Sequence, residues 1–290
     1  MRLGGFLAGV PSANHFGFED WWAGLDFQLD WAERLGWRCF VPTDFGTWDV
    51  AQQKQAVGRM AARDIVLPGL GAYAYNLIHP DAATRAAHVR AVCQVVERAA
   101  ELGVDSVEVV SGTYNPEWIA MYYPGVKSAA AWETFIASCR EICAACRGTG
   151  VRLSLEPYFL SLLDTAASLR MALDRVDRPE LAINFDLVNM VGVERYYDIN
   201  ALVDEVIEAV GPAIVLAHLK DLRYRPVSQV RVDEVPPGQG QVDYVHFLRR
   251  LDELGTGIPA YIEHLNDLSD MVSAWEHVRQ AARQAGVRMS

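Results

Sequence analysis

A chain of 290 residues with a net charge of −11 lacks the basic footprint that a nucleic-acid partner demands. With 51% hydrophobic and 22% charged residues it has the make-up of an ordinary globular protein with a large core, and no apolar run reaches the roughly 20 residues of a membrane span. Its five cysteines, Cys39, Cys93, Cys139, Cys143 and Cys146, are odd in number and irregular in spacing, which argues against a disulfide framework and for a reducing, cytoplasmic setting.

Residues 3–10 read as a buried strand. The opening MRLGGFLAGVPSA also has the single Arg and short apolar run of a signal peptide, but only as a strand does it complete the strand–helix repeat of the rest of the chain. Trp21, Leu25, Leu29, Trp31, Ala32 and Leu35 recur at helical spacing, so 20–35 is a helix, ended by Gly36. A strand over 37–41, a helix over 49–63 and a strand over 65–70 come next. A long amphipathic helix over 82–102 stops at Gly103, a strand occupies 105–110, and a helix over 129–147 stops at Gly148. The runs VRLSLEPY, LAINFDLVN, AIVLAHLKD and PAYIEHLND supply four further strands, separated by helices near 164–177, 199–210 and 242–254 and followed by one near 271–285.

Eight alternations of strand and helix, with no Pro/Gly/Ser-rich linker between them, specify a parallel sheet under helical cover. Eight units favour closure into a (β/α)8 TIM barrel, with residues 1–290 as one α/β domain. No GxGxxG comes after the first strand, which weakens the open dinucleotide-binding alternative. Two connections are long, 111–127 and 223–241; both come after strand ends and are expected as loops over the active face. The first is rich in Tyr and Trp, including Trp118, and either stacks on a sugar ring or packs on itself.

Each of the last four strands ends on one metal-capable side chain: Glu156, Asp186, His218 and Glu263. A barrel brings the C-terminal ends of its strands to one face. Three carboxylates meeting there would repel one another unless a cation neutralised them. Each residue alone has an ordinary reading, a helix cap or an Arg partner for the acids and a satisfied core position for the histidine. The four in succession point to a divalent-metal site. Three carboxylates and one imidazole form a hard donor set that suits Mn²⁺, the first choice, or Mg²⁺ or Co²⁺, better than structural Zn²⁺. Such a cation is a Lewis acid towards a substrate carbonyl and stabilises an enediolate, while ligand carboxylates move the proton.

The four strand endings resemble those of the xylose-isomerase-like TIM-barrel superfamily, in particular its sugar (phosphate) isomerase/epimerase group, most sharply over 153–264. HLKD at 218–221 and GQGQVDY at 238–244 are similar to family signatures. The resemblance implies Glu156, Asp186, His218 and Glu263 as metal ligands, Glu156 and Glu263 as the catalytic acid/base pair, a small carbohydrate substrate, and a homo-oligomer, dimer or tetramer. Two positions depart from the epimerase pattern. Asn189 stands where a His is usual three residues after the metal-binding Asp, and Tyr224 where an Arg is usual six residues after the metal His. The departures tilt towards a second chemistry on the same scaffold, a lyase of the inosose-dehydratase or C-glycoside-deglycosidase type. A non-catalytic sugar-binding protein would keep the barrel but tolerate loss of either glutamate.

Substrate contacts are expected from Lys220, Asn189, Asn76, His79, His15 and Trp118, all near strand ends or on the loops after them. Lys220 is two residues from His218 and should point the same way, towards a substrate oxygen or an acid such as Asp221. His79 has a rival reading as a helix-start residue before Pro80. His264 should point away from the axis. Cys139, Cys143 and Cys146 match a C-x3-C-x2-C iron–sulfur spacing, but they lie mid-helix among apolar residues and read as buried, inert thiols.

Overall fold

The computed structural model describes residues 1–6, 21–115, 118–119, 121–229, 231–265 and 267–288. Among them, eight strands lie in one sheet in the order β2-β1-β10-β7-β6-β5-β4-β3, and β8 and β9 form a separate pair. In chain order the elements are β1 (Arg2–Phe6), α1 (Trp21–Leu35), β2 (Cys39–Val41), α2 (Val50–Ala61), β3 (Leu70–Gly71), α3 (Ala82–Leu102), β4 (Ser106–Val109), α4 (Ala129–Cys146) and β5 (Arg152–Leu155). Then come α5 (Ala166–Val176), β6 (Leu181–Asp186), α6 (Ile199–Val210), β7 (Ile214–Leu219), β8 (Asp221–Arg225), β9 (Arg231–Val235), α7 (Tyr244–Asp252), β10 (Pro259–Ile262) and α8 (Leu268–Ala285). This is the strand–helix repeat that the sequence predicts for an eightfold α/β barrel. No helix among the described residues is long and apolar enough to cross a membrane. The chain divides into two compact units, Met1–Pro68 with Val193–Val203 and Ala217–Ser290, and Gly69–Gly192 with Asp204–Leu216.

In the first unit β1 lies between β2 and β10, parallel to both, with Gly4 opposite Cys39 on one side and Tyr261 on the other. β10 in turn pairs Tyr261 with His218 of β7. The glycines of β1 are a packing requirement. A Cβ on Gly4 would sit 1.7 Å from the Cys39 carbonyl oxygen, and one on Gly5 2.5 Å from the Trp37 ring. The indole of Trp37 meets Trp275 of α8 edge-on, and the Trp275 Nε1–H donates to the Leu35 carbonyl at 2.6 Å, so α8 is tied to the end of α1. The third strand is shorter than its sequence suggests: of 65–70 only Leu70 joins β3, while Val66 forms a lone parallel bridge to Cys39.

The second long connection is not a plain loop. Its two ends pair as the antiparallel hairpin β8–β9, from Asp221 opposite Val235 to Arg225 opposite Arg231. Charged residues dominate both strands, so the apolar periodicity that announces a buried strand is missing. The hairpin is organised at its base by Asp221. That buried carboxylate accepts hydrogen bonds from the backbone N–H groups of Leu222, Gly238, Gly240 and Val242 at 2.8–3.0 Å.

In the second unit β3, β4, β5 and β6 pair in parallel, with Leu70 opposite Val107, Val107 opposite Leu153, and Leu153 opposite Leu181. α4 turns Cys139, Cys143 and Cys146 into the core. Burial pushes all three thiols up, Cys143 and Cys146 to about 12, so these cysteines are inert protonated core groups. A cap fixes the first turn of six helices; α2, α5 and α7 start a residue or two later than periodicity suggests, and α8 starts three residues earlier. Asp49, Asp81, Ser128, Thr165, Asp243 and Asp267 each accept a bond from a backbone N–H of the helix they precede.

The close approach at β1 sets a test. Gly4→Ala would force β1 from β2, because the obstructing atom is backbone and cannot rotate away. The expected cost is about 3 kcal/mol or more, read as a lower urea midpoint with unchanged slope.

Candidate metal centre

In the second unit, Glu156 comes directly after β5, and its backbone N–H still bonds the Val109 carbonyl at 2.8 Å, so the strand register carries it. Both of its carboxylate oxygens are engaged. Oε1 accepts from Asn189 Nδ2 at 2.8 Å. Oε2 accepts from the Tyr73 hydroxyl at 2.7 Å and from Asn184 Nδ2 at 3.0 Å. Asp186 closes β6 and is fully buried, and its Oδ1 accepts the Asn189 backbone N–H at 3.1 Å. Asn189 therefore links the two acids through main chain and side chain at once.

In the first unit, His218 is the penultimate residue of β7, and Glu263 comes directly after β10. The His218 Nδ1 lies 2.9 Å from Glu263 Oε1, and its Nε2 meets the Tyr261 hydroxyl at 2.8 Å. A second nitrogen, Lys220 Nζ, reaches the same Glu263 oxygen at 2.6 Å. Both Lys220 and His218 are buried. Burial on its own would raise the Glu263 pKa. The charge and hydrogen bond of His218, then the charges of Lys220 and His264, outweigh it and hold the carboxyl below the usual carboxylate range.

One ligand atom from each of Glu156, Asp186, His218 and Glu263, all buried, lies within 4.8 Å of the others. The donor set fits a divalent cation: oxygens from three acids with one imidazole. An imidazole nitrogen and a carboxylate oxygen 2.9 Å apart need a proton or a cation between them. The Tyr261 hydroxyl on the opposite ring nitrogen can fix the tautomer that leaves Nδ1 as donor atom.

The other residues singled out in the sequence divide. Asn189 is on Glu156, and the acid that Lys220 contacts is Glu263, while Asp221 serves the hairpin. Asn76 is buried with its amide spent on main chain: Nδ2 donates to the Thr113 carbonyl at 2.6 Å, and Oδ1 accepts from Ile78 at 3.1 Å. His79 sits at the start of α3, where its Nδ1 accepts the Asp81 N–H at 3.1 Å and its carbonyl takes Arg85 Nη1 at 2.8 Å. Trp118 is 57% exposed, its backbone N–H on the Asn115 side chain. His15 lies outside the described residues. His264 carries a left-handed backbone, φ 62°; its Nδ1 lies 3.0 Å from Glu234 of β9 and its Nε2 3.6 Å from Glu263 Oε1.

Four neighbours of the acids escape the sequence reading: Tyr73, Glu108, Asn184 and Tyr261. Two of them had a signal. Glu108 in SVEV and Asn184 in LAINFD are polar residues inside otherwise apolar strands. Tyr261 resembles any core aromatic, and Tyr73 sits on a loop with nothing to mark it.

Residues 29–286 match the family model described as xylose isomerase-like TIM barrel. No curated protein matches the chain in sequence. Solved structures do resemble it. A D-psicose 3-epimerase determined in the presence of D-fructose is 16% identical, with a TM-score of 0.73 over 99% of this chain and 100% of its own. A xylose isomerase-like TIM barrel protein from Mycobacterium smegmatis in complex with magnesium is 18% identical, with a TM-score of 0.70 over 98% and 96%. The apo form of a 3-keto-D-glucoside 4-epimerase from E. coli is 14% identical, with a TM-score of 0.72 over 97% and 99%. At these identities the likeness is one of fold, the (β/α)8 barrel.

The depressed Glu263 has a measurable consequence in metal-free protein. A carboxylate whose folded pKa lies below its ordinary 4.5 contributes stability that is complete above that value and is lost as pH falls through the folded one. The stability gap between wild type and Glu263→Gln should stay level from pH 7 to 5 and narrow below about 4.5. Urea unfolding at each pH reads the gap, and a gap that holds its size down to pH 3 contradicts the assignment.

Proposed function

Because the chain belongs to the xylose isomerase-like TIM-barrel family, we propose that it is a divalent-metal-dependent isomerase or epimerase that moves a proton next to the carbonyl of a sugar or sugar-derived keto compound. The observation that carries this reading is the buried set of Glu156, Asp186, His218 and Glu263. These four would hold the cation, Mn²⁺ before Mg²⁺ or Co²⁺. When bound, the cation supplies Lewis-acid polarisation of a carbonyl and raises the acidity of the adjacent C–H.

The rest is done by side chains. Glu156 and Glu263 are the acid/base pair, and their surroundings give them different characters. Glu263 is held as an anion by His218 and Lys220. Lys220 transfers its ammonium contact to a substrate oxygen as negative charge develops there, and Glu263 gains basicity as that contact is withdrawn. Glu156, braced by the neutral donors Asn189, Asn184 and Tyr73, delivers or takes the proton from a fixed direction. The epimerase structures that the chain resembles support a keto sugar as substrate. We further place the protein in the cytoplasm as a single-domain barrel that forms a homo-oligomer; five free thiols suit a reducing compartment.

A lyase on the same scaffold is the second reading, and Asn189 favours it. Its amide is committed to Glu156, and an amide cannot exchange protons as an imidazole at that position can. The two reactions share the first proton transfer. They part at the next step, where one reprotonates carbon and the other expels a leaving group.

Incubation of the Mn²⁺-loaded protein with a panel of ketoses and 3-keto-glucosides in D₂O tests both. Deuterium incorporation without loss of water marks the isomerase or epimerase, and an absorbing enone marks the lyase. Glu156→Gln and Glu263→Gln should each lower the exchange by about a thousandfold or more. Full exchange in both variants, or undiminished exchange after chelation, removes the mechanism.

A further inference from the structure

The Tyr73 hydroxyl that donates to Glu156 is also 2.5 Å from Oε2 of a second buried acid, Glu108, in the middle of β4. Asn184 Nδ2 spans the same two oxygens, at 3.0 Å from Glu156 and 3.4 Å from Glu108. Glu108 pairs with Ser154 across β4–β5, two residues before Glu156, so strand register sets the acids side by side. Both acids are buried.

The space for this arrangement is built into the third strand. A Cβ on Gly69 would lie 2.0 Å from Glu108 Oε1, and one on Gly71 2.8 Å from the Tyr73 ring. GLGAY at 69–73 thus clears room first for a carboxylate and then for the phenol that bridges it to Glu156. A buried charged residue in an apolar strand is costly unless its surroundings are arranged for it. Here the arrangement includes two glycines.

We propose that Tyr73, anchored by Glu108, is a positioning residue for Glu156. It holds Oε2 through a hydroxyl whose proton goes to Glu156 and whose oxygen rests against Glu108, so the carboxylate keeps one orientation and presents Oε1, beside Asn189, to the cation and substrate. This rests on the four-ligand metal reading and assigns to that site a support it is not otherwise given. Partners behind a metal ligand typically set its affinity by about ten- to a hundredfold.

Mn²⁺ binding to the full chain, monitored by the electron paramagnetic resonance signal of free Mn²⁺, tests the proposal without any substrate. Tyr73→Phe removes only the hydroxyl and should weaken binding about tenfold or more at an unchanged circular dichroism spectrum. Gly69→Ala, which pushes the Glu108 carboxylate aside without deleting a donor, should do the same. Glu108→Gln keeps the shape and offers an amide N–H to the Tyr73 oxygen while the phenol proton stays on Glu156, and it should stay within about threefold of wild type, a rescue that a purely structural role does not predict. Wild-type binding by Tyr73→Phe overturns the proposal and leaves the metal site standing; a Glu108→Gln as weak as Tyr73→Phe overturns the anchoring role. Failure of the wild type itself to bind Mn²⁺, Mg²⁺ or Co²⁺ overturns the metal reading, and this proposal with it.

Discussion

A carboxylate taken out of water must be met by positive charge or by hydrogen-bond donors, and this requirement shapes the strand ends of the molecule. The two glutamates meet it in opposite ways. Glu263 is surrounded by nitrogen bases that carry or share a proton, His218, Lys220 and His264. Glu156 takes hydrogen bonds from neutral donors, two amides and a phenol. A charged environment fixes protonation state, whereas a neutral one fixes geometry. The acid/base pair proposed above, built from two like residues, would need such a difference, because identical surroundings would give both the same affinity for the proton.

The support behind each acid comes from parallel pairing. Because neighbouring strands run in one direction, residues two apart on one strand lie beside residues two apart on the next. Tyr261 precedes Glu263 by two and is registered against His218, so its hydroxyl reaches the imidazole. Asn184 precedes Asp186 by two, and its amide falls on Glu156. A strand that ends on one candidate ligand thus also delivers a partner for the candidate ligand of the neighbouring strand, one layer deeper.

Much of this was legible in the sequence. Eight alternations of strand and helix were, and so were the four ligand candidates, because each terminates an apolar run where the pattern changes abruptly, as LAINFD does at Asp186. Helix starts were less so: periodicity marks the buried face, but the cap marks the first turn, and Asp243 or Thr165 shifts it by a residue or two. The β8–β9 hairpin is not legible in the sequence because its pairing rests on backbone bonds between polar strands, which leave no apolar alternation. Glu108 and Asn184 were visible as polar interruptions but had no partner that spacing could identify. Tyr73 becomes meaningful only once two strands and a loop are brought together.

The hairpin explains why Lys220 is a dependable charge. A lysine side chain has four rotatable bonds, and an ammonium that contributes to the electrostatics of a site must not be allowed to wander. Its backbone is held from both directions. The Lys220 carbonyl accepts the Tyr244 hydroxyl at 2.8 Å, and the next residue, Asp221, is anchored by backbone N–H groups at the base of β8–β9. Gly240 has to be glycine for this, since a Cβ there would lie 2.2 Å from Asp221 Oδ1. The separated segments HLKD and GQGQVDY are therefore one device: the second wraps the aspartate of the first, and the wrapping fixes the lysine that faces Glu263. Spacing along the chain shows two motifs, and hydrogen bonding shows that they serve a single ammonium group.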